Sequence, residues 1–296
     1  MKISRKTIRI SLLLLIIALV FSLQSNAQLG PFDNVNVTTT VNITNALPVI
    51  IDFAVDQDIT LNVGSTKTVT CNATIRNWGG YNNLENVNGT FYYYLNESSD
   101  PDDNNVHYTN SSCTQISNDG EFIANYSCSF QVLYYANNGT WFCNVSVNES
   151  SGFSDSAVND TTINALYALN VTDVIDYGDM AVFDTSDNIT ATITNLGNMN
   201  INVSVLGYGA VQGDGLGLIC QYGDNIDIEH QRFSVTSVPW DDKTPLAATN
   251  QDMNITLLQP TEASVPVTWD TFWQLYVPPN PMGECTGTIR FTATLP

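Results

Sequence analysis

Apolar and polar residues alternate with a period of two along most of this chain, and almost nowhere with the 3.6-residue period of a helix. Val69, Cys71, Ala73 and Ile75 share one phase, and so do Trp141, Cys143, Val145 and Val147. Each run predicts a half-buried strand with a cysteine on its core face. Between them stand the aromatic run Phe91-Tyr92-Tyr93-Tyr94 and the turn Asn118-Asp119-Gly120. Further on, Ile189, Ala191 and Ile193 turn through Asn195-Leu196-Gly197-Asn198 into Ile201, Val203 and Val205. Later strands are expected over 217–222, 226–237, 253–258, 272–277 and 285–295, separated by clusters such as Pro279-Asn280-Pro281. The pattern predicts an all-β protein with strands enough for two tandem β-sandwich domains.

The first residues break this pattern. Lys2, Arg5, Lys6 and Arg9 precede an apolar run from Ile10 to Leu23, which ends in Ser25-Asn26-Ala27. That order is the one a secretory signal peptide shows, so 1–27 is read as a signal with cleavage before Gln28. An uncleaved signal anchor is the rival, but the run is short for a membrane span of about 20 residues and lacks a basic stop-transfer flank. Residues 28–48 follow as an arm in which Val35, Val37, Val41 and Ile43 alternate with Asn34, Asn36, Thr38, Thr40 and Asn42. This spare amphipathic strand is a candidate donor to the sheet edge of another copy. It is equally readable as the first strand of its own domain or as a linker. The expected domains are then 49–164, with four cysteines, and 165–296, with two. No hydrophobic tail or lipidated cysteine precedes Pro296, so the mature chain is expected to have no transmembrane segment.

Charge narrows the partners. The formal net charge of −20 becomes −24 once the four signal bases are gone. A surface of that sign repels nucleic acid and anionic lipid, and neither is expected as a partner.

Six cysteines in an exported chain imply three disulfides. Sequence alone does not fix the pairing; the arrangement favoured is Cys71 with Cys143 across two sheets, Cys113 with Cys128 locally, and Cys220 with Cys285. A loop as long as the first stabilises by about 4–5 kcal/mol in the chain-entropy model. Zinc is disfavoured, because no close cysteine pair or neighbouring histidine has ligand spacing. Sequons stand at Asn36, Asn42, Asn72, Asn88, Asn96, Asn110, Asn125, Asn138, Asn144, Asn148, Asn159, Asn170, Asn188, Asn202 and Asn254. Asn72, Asn144 and Asn202 each fall between core-phased neighbours, which puts them on the outer face of a strand. An Asn- and Thr-rich composition generates some of these sequons by itself.

Catalytic constellations are not found. His107 and His230 lie in no nucleophile or metal motif, and phosphate loops and nucleophile elbows are absent. Asp100-Pro101-Asp102-Asp103-Asn104-Asn105 offers alternating oxygen ligands as a calcium loop does, without the Gly and Glu that complete one. A solvated turn is the simpler reading there. A glycosidase needs two carboxylates at a set separation, and nothing singles out a pair. Trp240-Asp241-Asp242 is a candidate sugar-contacting patch or ordinary packing. No enzyme activity, cofactor or metal is expected.

Thr70-Cys71-Asn72-Ala73 and Gly139-Thr140-Trp141-Phe142-Cys143-Asn144-Val145 resemble an immunoglobulin-like domain, with an aromatic two residues before the second cysteine. Two departures stand out: Trp78 follows Cys71 too closely for the usual core tryptophan, and Trp141 stands where tyrosine is customary. The second half, closing on Gly283-Glu284-Cys285-Thr286-Gly287-Thr288-Ile289-Arg290-Phe291, looks like the β-sandwich modules of archaeal exported surface proteins. The whole plan is similar to archaeal thread or pilus subunits that polymerise by donor-strand complementation. That resemblance implies an extracellular or cell-surface glycoprotein that forms a head-to-tail homopolymer through its arm, in adhesion or biofilm cohesion. Other surface proteins or glycans are further candidate partners, and a monomeric secreted adhesin or binding module is the alternative function.

Overall fold

The computed structural model describes residues 37–41 and 47–296. Asn45–Pro296 form one compact unit, and residues 37–41 belong to a separate one. The latter have no regular secondary structure, and Val37 and Val41 are 77% and 81% exposed. Val35, Ile43, the sequons at Asn36 and Asn42 and the expected signal peptide lie outside the described residues. Among the described residues the helical elements are short 3₁₀ turns, and no helix is long and apolar enough to cross a membrane.

The first half contains β1 (Val49–Val55), β2 (Thr66–Arg76), β3 (Leu84–Tyr93), β4 (His107–Asn110), β5 (Thr114–Asp119), β6 (Ile123–Leu133), β7 (Gly139–Glu149) and β8 (Ser154–Ile163). They form two four-stranded antiparallel sheets, in the orders β1-β2-β6-β5 and β4-β3-β7-β8. This is the strand order of an immunoglobulin-type sandwich with one added strand beside the third. The alternation in sequence is the reason: Val69, Cys71, Ala73 and Ile75 of β2 and Trp141, Cys143, Val145 and Val147 of β7 all point into one buried core. Each large apolar side chain buried there stabilises by about 1.5–3 kcal/mol. The Cys71–Cys143 disulfide joins the two sheets across that core, with Cα atoms 6.6 Å apart.

Both departures from the immunoglobulin pattern have a structural account. Phe91 of β3 fills the place of the usual core tryptophan, stacked 4.8 Å from Trp141 and 5.7 Å from Phe130. Trp141 does the work of the tyrosine corner, its indole N–H donating to the Asn137 carbonyl four residues upstream at 2.7 Å. Trp78 is exposed, against Phe122 and under the Arg76 guanidinium. The Cys113–Cys128 disulfide ties the start of the β5–β6 hairpin to β6. It fits because Gly89 of β3 lies against it: a Cβ at Gly89 would stand 3.0 Å from the Cβ and Sγ of Cys128.

The second half contains β9 (Leu169–Val171), β10 (Ile189–Asn195), β11 (Ile201–Tyr208), β12 (Leu216–Tyr222), β13 (Ile226–Asp227), β14 (Gln231–Ser234), β15 (Thr244–Pro245), β16 (Gln251–Leu257), β17 (Thr268–Leu275), β18 (Met282–Thr286) and β19 (Thr288–Thr294). The sheets are β15-β14-β17-β10-β9, β16-β11-β19 and β13-β12-β18. Its core is a separate cluster around Trp273, Ile193, Ile201 and Val205. Two of the long strands expected from sequence are broken. The stretch 226–237 is interrupted by a 3₁₀ turn at Ile228–His230. The stretch 285–295 breaks at Gly287, where the backbone passes so close to Gly217 that a Cβ would meet its carbonyl oxygen at 1.9 Å.

A buried polar joint links the halves. Asn198, fully buried, donates its amide to the carbonyls of Ala136 (3.0 Å) and Asn164 (3.1 Å) and accepts from the Leu166 N–H at 2.6 Å. Gln259 adds bonds to the Tyr135 carbonyl and to Asn137 Oδ1 at 2.7 and 2.9 Å. Buried amides satisfied in this way fix geometry more strictly than apolar contact does.

Candidate functional site

β19 reads Thr288-Ile289-Arg290-Phe291-Thr292-Ala293-Thr294, apolar at alternate positions. It pairs antiparallel with β11, placing Val205 opposite Phe291 and Val203 opposite Ala293. Among the described residues no strand pairs with its other edge. β7 holds the matching place in the first half: β2 and β3 cross from one sheet to the other as β10 and β11 do, and β7 pairs with β3 as β19 pairs with β11. β7, however, is also paired with β8 along its whole length. The effect on the core is direct. The inward side chains of β7 are 0% exposed, whereas Ile289, Phe291 and Ala293 of β19 are only half-buried. An unpaired edge leaves its N–H and C=O groups open to pairing with another chain.

Beside that edge runs a cleft. One wall is the stretch 171–180, the other the stretch 281–291, and Leu218, Ile226, Leu275 and Val277 line it between them. Asp173, Asp176, Asp179 and Glu284 give it a negative rim. The Cys220–Cys285 disulfide joins β12 to β18 at its margin, the two cysteines facing each other in register. Tyr177 reaches inward, and burial holds its phenol well above the ordinary range, with adjacent Gln231 offsetting part of that. The Tyr177 hydroxyl and Gln231 Oε1 both lack a partner in hydrogen-bonding geometry.

The other sequence candidates are dispersed. Asp100 accepts from the Glu97 N–H at 2.9 Å and the Asn96 amide at 3.1 Å, which hold its carboxyl below the usual range, the Glu97 bond foremost. Asp102 faces the ring of buried His107 at 3.2 Å, and Asp103 accepts from the Asn105 N–H at 2.8 Å. The acidic loop thus turns its carboxylates to local donors, and no group of three or more acidic, histidine or cysteine residues placed for a metal occurs among the described residues. Trp240 is half-buried, with the Arg232 guanidinium 4.6 Å over its ring. Of the sequons, Asn72, Asn148, Asn170, Asn188 and Asn254 are exposed, while Asn88, Asn96, Asn110, Asn125, Asn138, Asn144, Asn159 and Asn202 are half-buried. Sequence reading missed the cleft and the Asn198 joint. The one available signal was a pair of asparagines, Asn195 and Asn198, in what reads as an ordinary turn.

No family model matches the chain, and no curated protein does. Among solved structures it is similar to the CsuC–CsuE chaperone–tip adhesion subunit pre-assembly complex from the archaic chaperone-usher Csu pili of Acinetobacter baumannii. The identity is 11%, the coverage 82% of this chain and 100% of that one, and the TM-score 0.40. A chaperone–tip adhesin complex of CFA/I fimbriae is similar at 10% identity, 84% of each chain and TM-score 0.29. A carbohydrate-binding module of the β-sandwich superfamily is similar at 11% identity, 85% and 97% coverage and TM-score 0.25.

Proposed function

We propose that this protein is a structural subunit of an extracellular, glycosylated cell-surface filament or surface layer, in which each copy donates its N-terminal arm as a β-strand to the next. The observation that supports this most is the open edge of β19 beside a half-buried core, in a half whose β14-β17-β10-β9 and β16-β11-β19 strands follow the sandwich plan of the first. The arm is the matching part: Val35, Val37, Val41 and Ile43 share one face, and the sequons Asn36 and Asn42 share the other. A donated strand gains backbone bonds along the edge and buries its apolar face, and a head-to-tail contact that does not close propagates into a filament. Three disulfides suit an oxidising, extracellular compartment. The reading assigns adhesion or cohesion to the polymer and no catalysis to the chain.

Light scattering of the mature protein over a concentration series tests this. Assembly that grows with concentration and is lost on deleting residues 28–45 is the expected result. A monomer at every concentration, with or without the arm, moves the assignment to a secreted adhesin or binding module that recognises a glycan or protein.

A further inference from the structure

The stretch 173–181 makes no backbone hydrogen bond to a strand among the described residues. Before it, the Thr172 N–H reaches the Thr192 carbonyl at 3.2 Å; after it, the Phe183 N–H reaches Val277 at 2.7 Å. Side chains alone seat it. Ile175 and Tyr177 pack on the same core as Ile289 and Phe291, and Met180 packs on the smaller cluster with Leu218 and Val277. The fit is imperfect. The Tyr177 hydroxyl makes no well-formed hydrogen bond although Gln231 lies beside it, and Val174, within the stretch, is exposed; just beyond it Phe183 takes a φ of 71°, a sparsely populated region for a bulky residue. A strand in that place would supply the backbone bonds that β19 lacks; β8 supplies them to β7.

We propose that 173–181 is a displaceable strap, which shields the second core and the β19 edge in the free subunit and yields when the arm of a second copy docks there. This rests on the assembly reading above and adds a regulation to it: the edge stays covered until a better filler arrives. The arm enters antiparallel to β19, as β8 lies on β7. Its alternate residues Val35, Val37, Val41 and Ile43 take over the core positions that Ile175 and Tyr177 fill in the free chain. Exchanging side-chain packing alone for packing plus a hydrogen-bonded ladder drives the replacement.

The test uses the full mature chain carrying Val37→Asp and Val41→Asp, exposed positions whose change disables the chain's own arm. It is titrated with a synthetic peptide of residues 28–46 and followed by hydrogen exchange at β19 and by limited proteolysis at 173–181. The expected result is that β19 amides slow by about tenfold or more while cleavage within 173–181, a stretch seated by side chains alone, becomes faster by a similar factor. Slowed β19 amides with 173–181 unchanged or slower overturn the strap and leave strand donation standing. A peptide that does not bind overturns both.

Discussion

Asn198 donates its side-chain amide to the carbonyl of Ala136 at 3.0 Å, across the junction between the two halves and out of contact with solvent. The same amide reaches Asn164, and its oxygen takes the Leu166 N–H, so one asparagine fastens the linker and the end of the first half to the second. These bonds fix how the end of the first half, the linker and the second half sit against one another.

Asn198→Ala leaves several buried backbone groups without partners and is expected to cost about 3 kcal/mol of stability. Differential scanning calorimetry checks it. Independent unfolding of the halves in the variant, against one transition in the parent, is the predicted signature. A variant that melts like the parent contradicts the role given to the joint.

Gly89 is expected to tolerate no side chain. Gly89→Ala drives a methyl against the Cys113–Cys128 disulfide and, at 3.2 Å, against the Phe130 ring. Overpacking of this kind costs about 1–3 kcal/mol. Chemical denaturation with the disulfides intact measures the loss, and the sequon at Asn88 survives the change.

Acid is expected to loosen the 209–216 loop. The Asp214 carboxylate accepts from the backbone N–H groups of Val211 (3.1 Å), Leu216 (3.0 Å), Gly209 (3.2 Å) and Ala210 (2.8 Å), and these bonds, the Val211 one foremost, hold its pKa at about 2. A carboxyl lowered on folding stabilises the loop fully above its unfolded value of about 3.9 and loses that contribution as pH falls through the folded value. NMR signals of 209–216 should therefore shift between about pH 4 and pH 2. In Asp214→Asn that step disappears.

Glycan occupancy should follow exposure. In a host that modifies sequons on the folded protein, glycopeptide mass spectrometry is predicted to find Asn72, Asn148 and Asn254 occupied. Asn144, half-buried with its side-chain oxygen out of solvent, should be bare. The reverse order would contradict the burial of these positions.

The all-β class was legible in the sequence because, in runs such as 69–75 and 141–147, the period of the pattern and the side that became buried coincide. Trp141 was visible as an oddity but not as a corner, because its hydrogen bond to Asn137 depends on the turn between them. The open edge was not legible. β19 finds its partner β11 more than eighty residues earlier in the chain, and local alternation reads the same whether one edge is paired or both are. The cleft follows from that same long-range choice. Gly287 shows the limit from the other side: its break in the last strand comes from the backbone of Gly217, a neighbour in space only.

The most direct test of strand donation is cryo-electron microscopy of material sheared from the native cell surface, with this chain confirmed by mass spectrometry. The account predicts filaments of repeating subunits in which a strand built from residues 35–43 of one copy lies along the free edge of β19 in the next. Filaments in which that edge is bare, or this chain recovered only as isolated monomers, would contradict it.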